Sequence, residues 1–123
     1  MSNQGAENKS AGHIIASASK ASLERVSLSP DQIDSGSPET RILELPDFAG
    51  VSMGVWEHTE GVSTDTEVDE VFIVISGGAT IEFTDGDTSP LDVGAGDIVR
   101  LSAGVKTRWI VRDHIRKVYL VPA

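Results

Sequence analysis

From Glu44 to the C-terminus, short apolar runs alternate with turn residues at close and regular spacing. That texture predicts a β sandwich or barrel. The predicted strands are Arg41 to Leu45, Val51 to His58, Glu70 to Ser76, Ala79 to Thr84, Ser89 to Val93, Asp97 to Leu101, Thr107 to Arg112 and Arg116 to Val121. Between them stand Gly77-Gly78, expected as a tight reversal, Asp85-Gly86-Asp87 as a hairpin tip, Gly94-Ala95-Gly96-Asp97, and Ser102-Ala103-Gly104. Glycine and aspartate supply the backbone conformations such turns require. The connections are too short for parallel crossovers, so the class is all-β and antiparallel.

Upstream the texture changes. Residues 1–12, MSNQGAENKSAG, offer almost nothing to bury and cannot offset the entropy of becoming ordered, which predicts a disordered tail. Residues 13–46 carry only short apolar touches among Ser, Asp and Pro, which predicts an arm with short strands. A thin helical alternative covers Ala16 to Arg25. The barrel itself is assigned to residues 47–123, and 123 residues suffice for one domain with one core.

Strand parity sorts the faces of Glu70 to Ser76, because successive side chains point to opposite sides. One face carries Glu70, Phe72 and Val74, and the other Val71, Ile73 and Ile75. Both are largely apolar, so two covers are needed, the second being the arm or another subunit. A homodimer with sheet-mediated contact is expected on this ground.

Charge narrows the partners. Nineteen acidic against ten basic residues give a net charge of −9, which argues against nucleic acid and anionic lipid surfaces. Six acids between Glu57 and Glu70 contain no base among them, whereas Arg100, Lys106, Arg108, Arg112, Arg116 and Lys117 crowd a later segment, so the two blocks are expected to meet. No cysteine is present, which removes disulfides, thiol catalysis and thiolate metal sites. The longest apolar run, Val71 to Ile75, is far below the roughly 20 residues of a membrane helix. A soluble, cytoplasmic protein is expected.

Several words in the chain together resemble a known family. Gly54-Val55-Trp56-Glu57, then Gly61, then Asp69 to Gly77 is similar to the first motif of the cupin superfamily, whose strand begins with a Glu and ends seven residues later at a Gly, as Glu70 and Gly77 do. The second cupin motif runs Gly, five residues, Pro, one residue, Gly, two residues, His; Gly96, Ser102, Gly104 and Thr107 occupy those places. The words Gly36 to Arg41, Ala103 to Lys106, Thr107 to Trp109 and Arg116 to Tyr119 resemble the small single-domain cupins of the DUF861 type, related to ureidoglycine aminohydrolase and the ethanolamine-utilisation cupins. The resemblance spans roughly residues 36 to 121. It implies a jelly-roll β-barrel with a site at its open end.

Metal-binding cupins take two His and the Glu from the first motif and the His of the second. Here Ser63, Thr64, Asp65 and Thr66 stand before Glu70, and Thr107 replaces the second-motif His. A lone carboxylate with hydroxyl neighbours lacks the imidazoles that give such sites their affinity, so no metal and no cofactor is expected. The candidate catalytic residues are Glu70 and His58, an acid and base pair if both face inward. Trp56, Phe72 and Trp109 are candidate apolar walls, and Thr64, Thr66, Thr107, Lys117 and Tyr119 candidate polar contacts for a ligand. A carboxylate at the head of so apolar a strand is costly unless paired, so Glu70 is expected either to bond a base such as Arg108, Lys117 or Arg100 or to meet a ligand.

Asp65, Glu67 and Asp69 alternate, but a solvated acidic loop explains them better than a Ca²⁺ or Mg²⁺ site. Gly50-Val51-Ser52-Met53-Gly54 spells a nucleophile elbow yet runs into a strand, and Gly94-Ala95-Gly96 opens no helix, so neither carries chemistry. Three readings follow. The barrel binds a small polar or anionic metabolite without metal; or it recruits a divalent ion through Glu70, His58 and an Asp to hydrolyse or isomerise a small nitrogenous or sugar-like compound; or it is packed shut and serves as a dimerisation or sensor module.

Overall fold

The computed structural model describes residues 13–86 and 88–123. The expected tail, residues 1–12, lies outside the described residues. Eight strands occur among the described residues: β1 (Glu24–Val26), β2 (Ile33–Ser35), β3 (Thr40–Phe48), β4 (Val51–Thr66), β5 (Glu70–Phe83), β6 (Leu91–Gly94), β7 (Ile98–Leu101) and β8 (Lys106–Pro122). One turn of 3-10 helix, Pro30–Gln32, separates β1 from β2. The strands pair in the order β1-β3-β4-β8-β5-β6, with β2 added to β4 and β7 added to β5. Every pairing is antiparallel. The class is all-β and the architecture a jelly-roll barrel. No helix among the described residues is long and apolar enough to cross a membrane.

Four strands are longer than the sequence pattern suggests, β3 among them, which extends from Thr40 to Phe48. β4 continues past His58 to Thr66, and β8 joins the two segments expected on either side of Asp113. β5 runs straight through Gly77-Gly78, so that pair is a bend and not a reversal. Register shifts mark the bends, between Thr59 and Gly61 in β4 and between Val74 and Thr80 in β5. A bulge of this kind curls a strand and lets one chain segment serve both walls of a barrel. Glycine at 77 is required on two counts: its φ is +69°, and a Cβ there would lie 1.9 Å from the His114 carbonyl oxygen.

The bulges also switch the side-chain parity. On β4 the inward residues are Gly54, Trp56 and His58 before the shift, and Gly61 and Ser63 after it. On β5 they are Glu70, Phe72 and Val74, then Ala79 and Ile81. Phe72, Val74, Ala79, Ile81, Val99, Leu101, Trp109, Val111 and Ile115 form the core these faces enclose. At about 25 cal/mol per Å² of apolar surface, such residues provide the main drive to close the barrel.

The N-terminal arm covers part of the outer face. Arg116, on the outside of β8, donates to the carbonyls of Ala18 and Ala21 and pairs with Glu57 at 2.7 Å. Residues 17–21 form a turn, with Ala21 donating to the Ser17 carbonyl, in place of the helical alternative. Beyond the arm, the outer row Val118, Ile73 and Ile98 runs across β8, β5 and β7, ending at Ile98, which is 72% exposed.

Candidate functional site

At one end of the barrel a cavity of about 200 Å³ opens between β4, β5 and β8, with the arm closing one side. Trp56, Trp109, Lys117, Tyr119, Glu70, Ser63, Thr64, Asp65 and Glu67 line it from the barrel. Leu28 and Gln32 reach it from the arm, Ile42 from β3 and Val121 from β8. At this size it suits a small metabolite and not a polymer.

The central feature is an ion pair. Lys117 Nζ donates to Glu70 Oε2 at 2.7 Å, and the two side chains are only 7% and 9% exposed. Cross-strand register explains how they meet: Lys117 opposes Val74 on β5, while Glu70 heads that strand on the same inward face. The ammonium also lies over three rings, 4.3 Å from the centroid of Phe72, 4.4 Å from Trp56 and 5.0 Å from Trp109. Ring faces carry negative potential, so this cage supplies part of what the lost water shell supplied. Trp56 and Trp109 meet edge to face at 5.6 Å, which fixes both indoles as walls.

Glu67 forms a second anchored carboxylate. Its Oε2 accepts from Thr107 Oγ1 at 2.6 Å and from Trp109 Nε1 at 3.1 Å, and the residue is buried. The loop holding it is stapled to the β7–β8 turn: Glu67 N donates to the Val105 carbonyl, Gly104 N to the Glu67 carbonyl, and Ala103 N to Asp69. Glu67 is therefore withdrawn from the expected solvated acidic loop, while Asp65 and Asp69 remain exposed. Asp65 stands exposed at the cavity rim beside Glu67, and partial desolvation followed by the neighbouring Glu67 charge pushes its carboxyl above the usual carboxylate range. Burial raises the Tyr119 phenol as well, with the Glu44 and Glu70 charges adding to it, so its O–H remains a donor at neutral pH. Gly54 leaves room for that phenol, since a Cβ there would sit 2.5 Å from the Tyr119 oxygen.

Not every expected site residue belongs to the cavity. His58 and Glu70 do not form an acid and base pair. His58 is 1% exposed behind the cavity wall, where its ring meets the Thr59 carbonyl and Ser63, while Glu70 is taken by Lys117. Thr66 is exposed at the end of β4 and takes no part. Thr107 is buried on Glu67 and Phe72 lies beneath Lys117, so both support the wall from behind. Trp56, Trp109, Thr64, Lys117 and Tyr119 line the cavity as expected. Asp65, Glu67, Ser63, Leu28, Gln32, Ile42 and Val121 are additional lining residues. Parity assigned across an unbroken strand misplaces Ser63 and Asp65, because the bulge between Thr59 and Gly61 reverses it.

A metal does not suit this donor set. The positions where cupins carry imidazoles hold hydroxyls and a carboxyl, and the remaining Glu70 carboxylate already faces an ammonium. Among the described residues no three His, Cys, Asp or Glu side chains come together in a metal-holding group.

The profile of the EutQ-like cupin domain family matches residues 47–119. Among solved structures the chain is similar to the Clostridium difficile EutQ protein, at 25% identity and a TM-score of 0.61, over 80% of this chain and 82% of that one. It is similar to a Pseudomonas syringae pv. tomato protein of unknown function from the DUF861 family, at 26% identity and a TM-score of 0.70. That match covers 81% of this chain and 44% of the Pseudomonas chain, so the chain spans under half of that relative's length. A Rhizobium leguminosarum protein of unknown function shares the fold at 20% identity and a TM-score of 0.62, over 94% of this chain and 100% of that one. No curated protein matches the chain significantly.

Two outcomes follow from the buried groups. Lys117→Ala strands a buried carboxylate and is expected to cost about 3–5 kcal/mol in urea unfolding, whereas Lys117→Met combined with Glu70→Gln recovers most of that loss. A double-mutant coupling near zero would show the pair to be energetically idle. His58 is held below its ordinary pKa by burial first and by the Lys117 charge, against the raising effect of its bond to the Thr59 carbonyl. The unfolded chain therefore binds the proton more readily, and stability is lost as pH falls below about 6.5. Thermal unfolding across pH 5 to 8 is expected to show this slope in the wild type and to lack it in His58→Gln.

Proposed function

The chain belongs to the EutQ-like cupin domain family, and from that premise and the cavity we infer that it binds a small, donor-bearing metabolite without a metal ion. The observation that carries this reading is the caged Lys117–Glu70 pair, which puts a fixed positive charge where metal-binding relatives of the fold place an ion. With the cation supplied by the protein, the ligand has no metal to coordinate. It meets a wall of three carboxyl side chains, Asp65, Glu67 and Glu70, against one ammonium already engaged.

Such a lining favours a ligand with hydroxyl or amine donors over an anion. Among the described residues the protein donors to Glu67 and Glu70 go to Oε2 of each, and Asp65 Oδ1 accepts from Thr66 N, which leaves the second oxygen of each carboxyl as an acceptor for a ligand. The faces of Trp56 and Trp109 suit the C–H surface of a polyol or a small amino alcohol. An anionic metabolite is the second reading, and Lys117 with Tyr119 favours it.

Isothermal titration with glycerol, erythritol and 2-amino-1,3-propanediol is expected to give saturable binding in at least one case. Glu70→Gln combined with Lys117→Met, which leaves neither ion unpaired, should weaken it about tenfold, close to 1.4 kcal/mol, the scale of one hydrogen bond to a charged group. Chelator dialysis should leave both the binding and the thermal midpoint unchanged. A loss of either on dialysis, restored by one equivalent of metal, would overturn the metal-free reading.

The exposed row ending at Ile98 supports association of two copies through the outer sheet. Sedimentation at micromolar concentration is expected to give a dimer mass, and Ile98→Glu a monomer. A monomeric wild type would count against it.

A further inference from the structure

His58 and Ser63 are five positions apart on β4, and in a regular strand an odd separation puts two side chains on opposite faces. The register shift between Thr59 and Gly61 removes that obstacle and turns both inward. Gly61 makes the close turn possible: a Cβ there would lie 2.7 Å from the Pro38 ring, and its φ is +144°. The result is a hydrogen bond of 2.8 Å between Ser63 Oγ and His58 Nε2.

The direction of that bond follows from the other ring nitrogen. His58 Nδ1 lies 2.6 Å from the Thr59 carbonyl oxygen, which only accepts, so Nδ1 carries the proton. In the neutral ring Nε2 then has a free lone pair, and the Ser63 hydroxyl donates to it. Ser63 itself is among the residues lining the cavity, as Lys117 is, whereas His58 stands behind it, 1% exposed. A hydroxyl on the cavity wall, a base bonded to it and a third group fixing the tautomer of that base make up the arrangement that activates a serine.

We propose that Ser63 and His58 are a nucleophile and base pair for acyl transfer from a small ester whose polar end occupies the carboxyl-lined cavity. Ser63 Oγ attacks the acyl carbon while His58 Nε2 takes the hydroxyl proton and the carbonyl π pair moves to oxygen. The ester C–O bond then breaks, and the departing alkoxide takes the proton from Nε2. Water gives a proton to Nε2 and attacks the acyl-serine; the carboxylic acid leaves and the Ser63 hydroxyl is restored. The net reaction is ester plus water to acid plus alcohol. Lys117, which lines the same cavity, keeps N–H groups beyond the one given to Glu70 and is the positive charge available there to an oxyanion. His58 is also suited to the role by its lowered proton affinity, which keeps the base free at neutral pH.

This rests on the cavity being a ligand site, and the two readings fail separately. The full chain is treated with methanesulfonyl fluoride, small enough for the cavity, and mapped by mass spectrometry; p-nitrophenyl acetate hydrolysis is followed in parallel. Expected are a single sulfonyl adduct on Ser63, hydrolysis above the buffer rate, and loss of at least 90% of it in Ser63→Ala and in His58→Gln. Because the chain has no cysteine, Ser63→Cys adds one thiol whose alkylation by iodoacetamide reports the base without requiring turnover. Its pH profile is expected to have a midpoint below the usual thiol value of about 8.5, and His58→Gln in that background to return it there. No adduct on Ser63, hydrolysis retained in Ser63→Ala, or an alkylation profile indifferent to His58 would each overturn the dyad. Absence of saturable binding in the titrations above would instead overturn the cavity reading.

Discussion

An ammonium buried inside a barrel this small has to be neutralised by something, and Glu70 together with the rings of Phe72, Trp56 and Trp109 does it. Each ion left alone would cost several kcal/mol in such surroundings, so neither can be placed without the other. That mutual requirement ties β4, β5 and β8 together at one point. It also decides the electrostatics of the cavity, because Lys117 bears on the proton affinity of both His58 and Asp65. The walls, the polar handles and the base behind Ser63 are all arranged around that charge.

The positive charge inside this barrel is covalently tethered to β8. A lysine has one fixed stem and donates hydrogen bonds; it offers no vacant coordination positions. The side chains lining the cavity offer hydrogen bonding, charge stabilisation and proton transfer. The seat of the second-motif histidine is held by Thr107, which has become a support for Glu67, and Glu67 in turn holds the Trp109 indole in place.

The N-terminal arm is more than a connector. Leu28 and Gln32 close one side of the cavity, and the Ala18 and Ala21 carbonyls bind Arg116 on the opposite face of β8. The segment preceding the family's core motifs thus packs against both sides of one strand. Meanwhile the acidic and basic blocks of the chain meet only in part: Glu57 with Arg116 and Glu70 with Lys117, whereas Arg108 bonds Asp34 and Glu82.

Much of this is written locally along the chain. The alternation of Val, Ile and Phe with turn residues specifies strands and their antiparallel pairing, and the words around Glu70 and Gly104 specify the family, because periodicity and short-range motifs are properties of neighbouring residues. The need of Glu70 for a partner, a base or a ligand, was legible too, since a carboxylate in an apolar strand is costly unless paired. Which base it found was decided in three dimensions: Lys117, 47 positions away, won over Arg108 because cross-strand register turns it inward. Register likewise placed Ser63 beside His58, and loop-to-loop hydrogen bonds withdrew Glu67 from solvent. A single bulge reverses inside and outside for every residue beyond it, and nothing within a strand's own composition announces where that reversal falls.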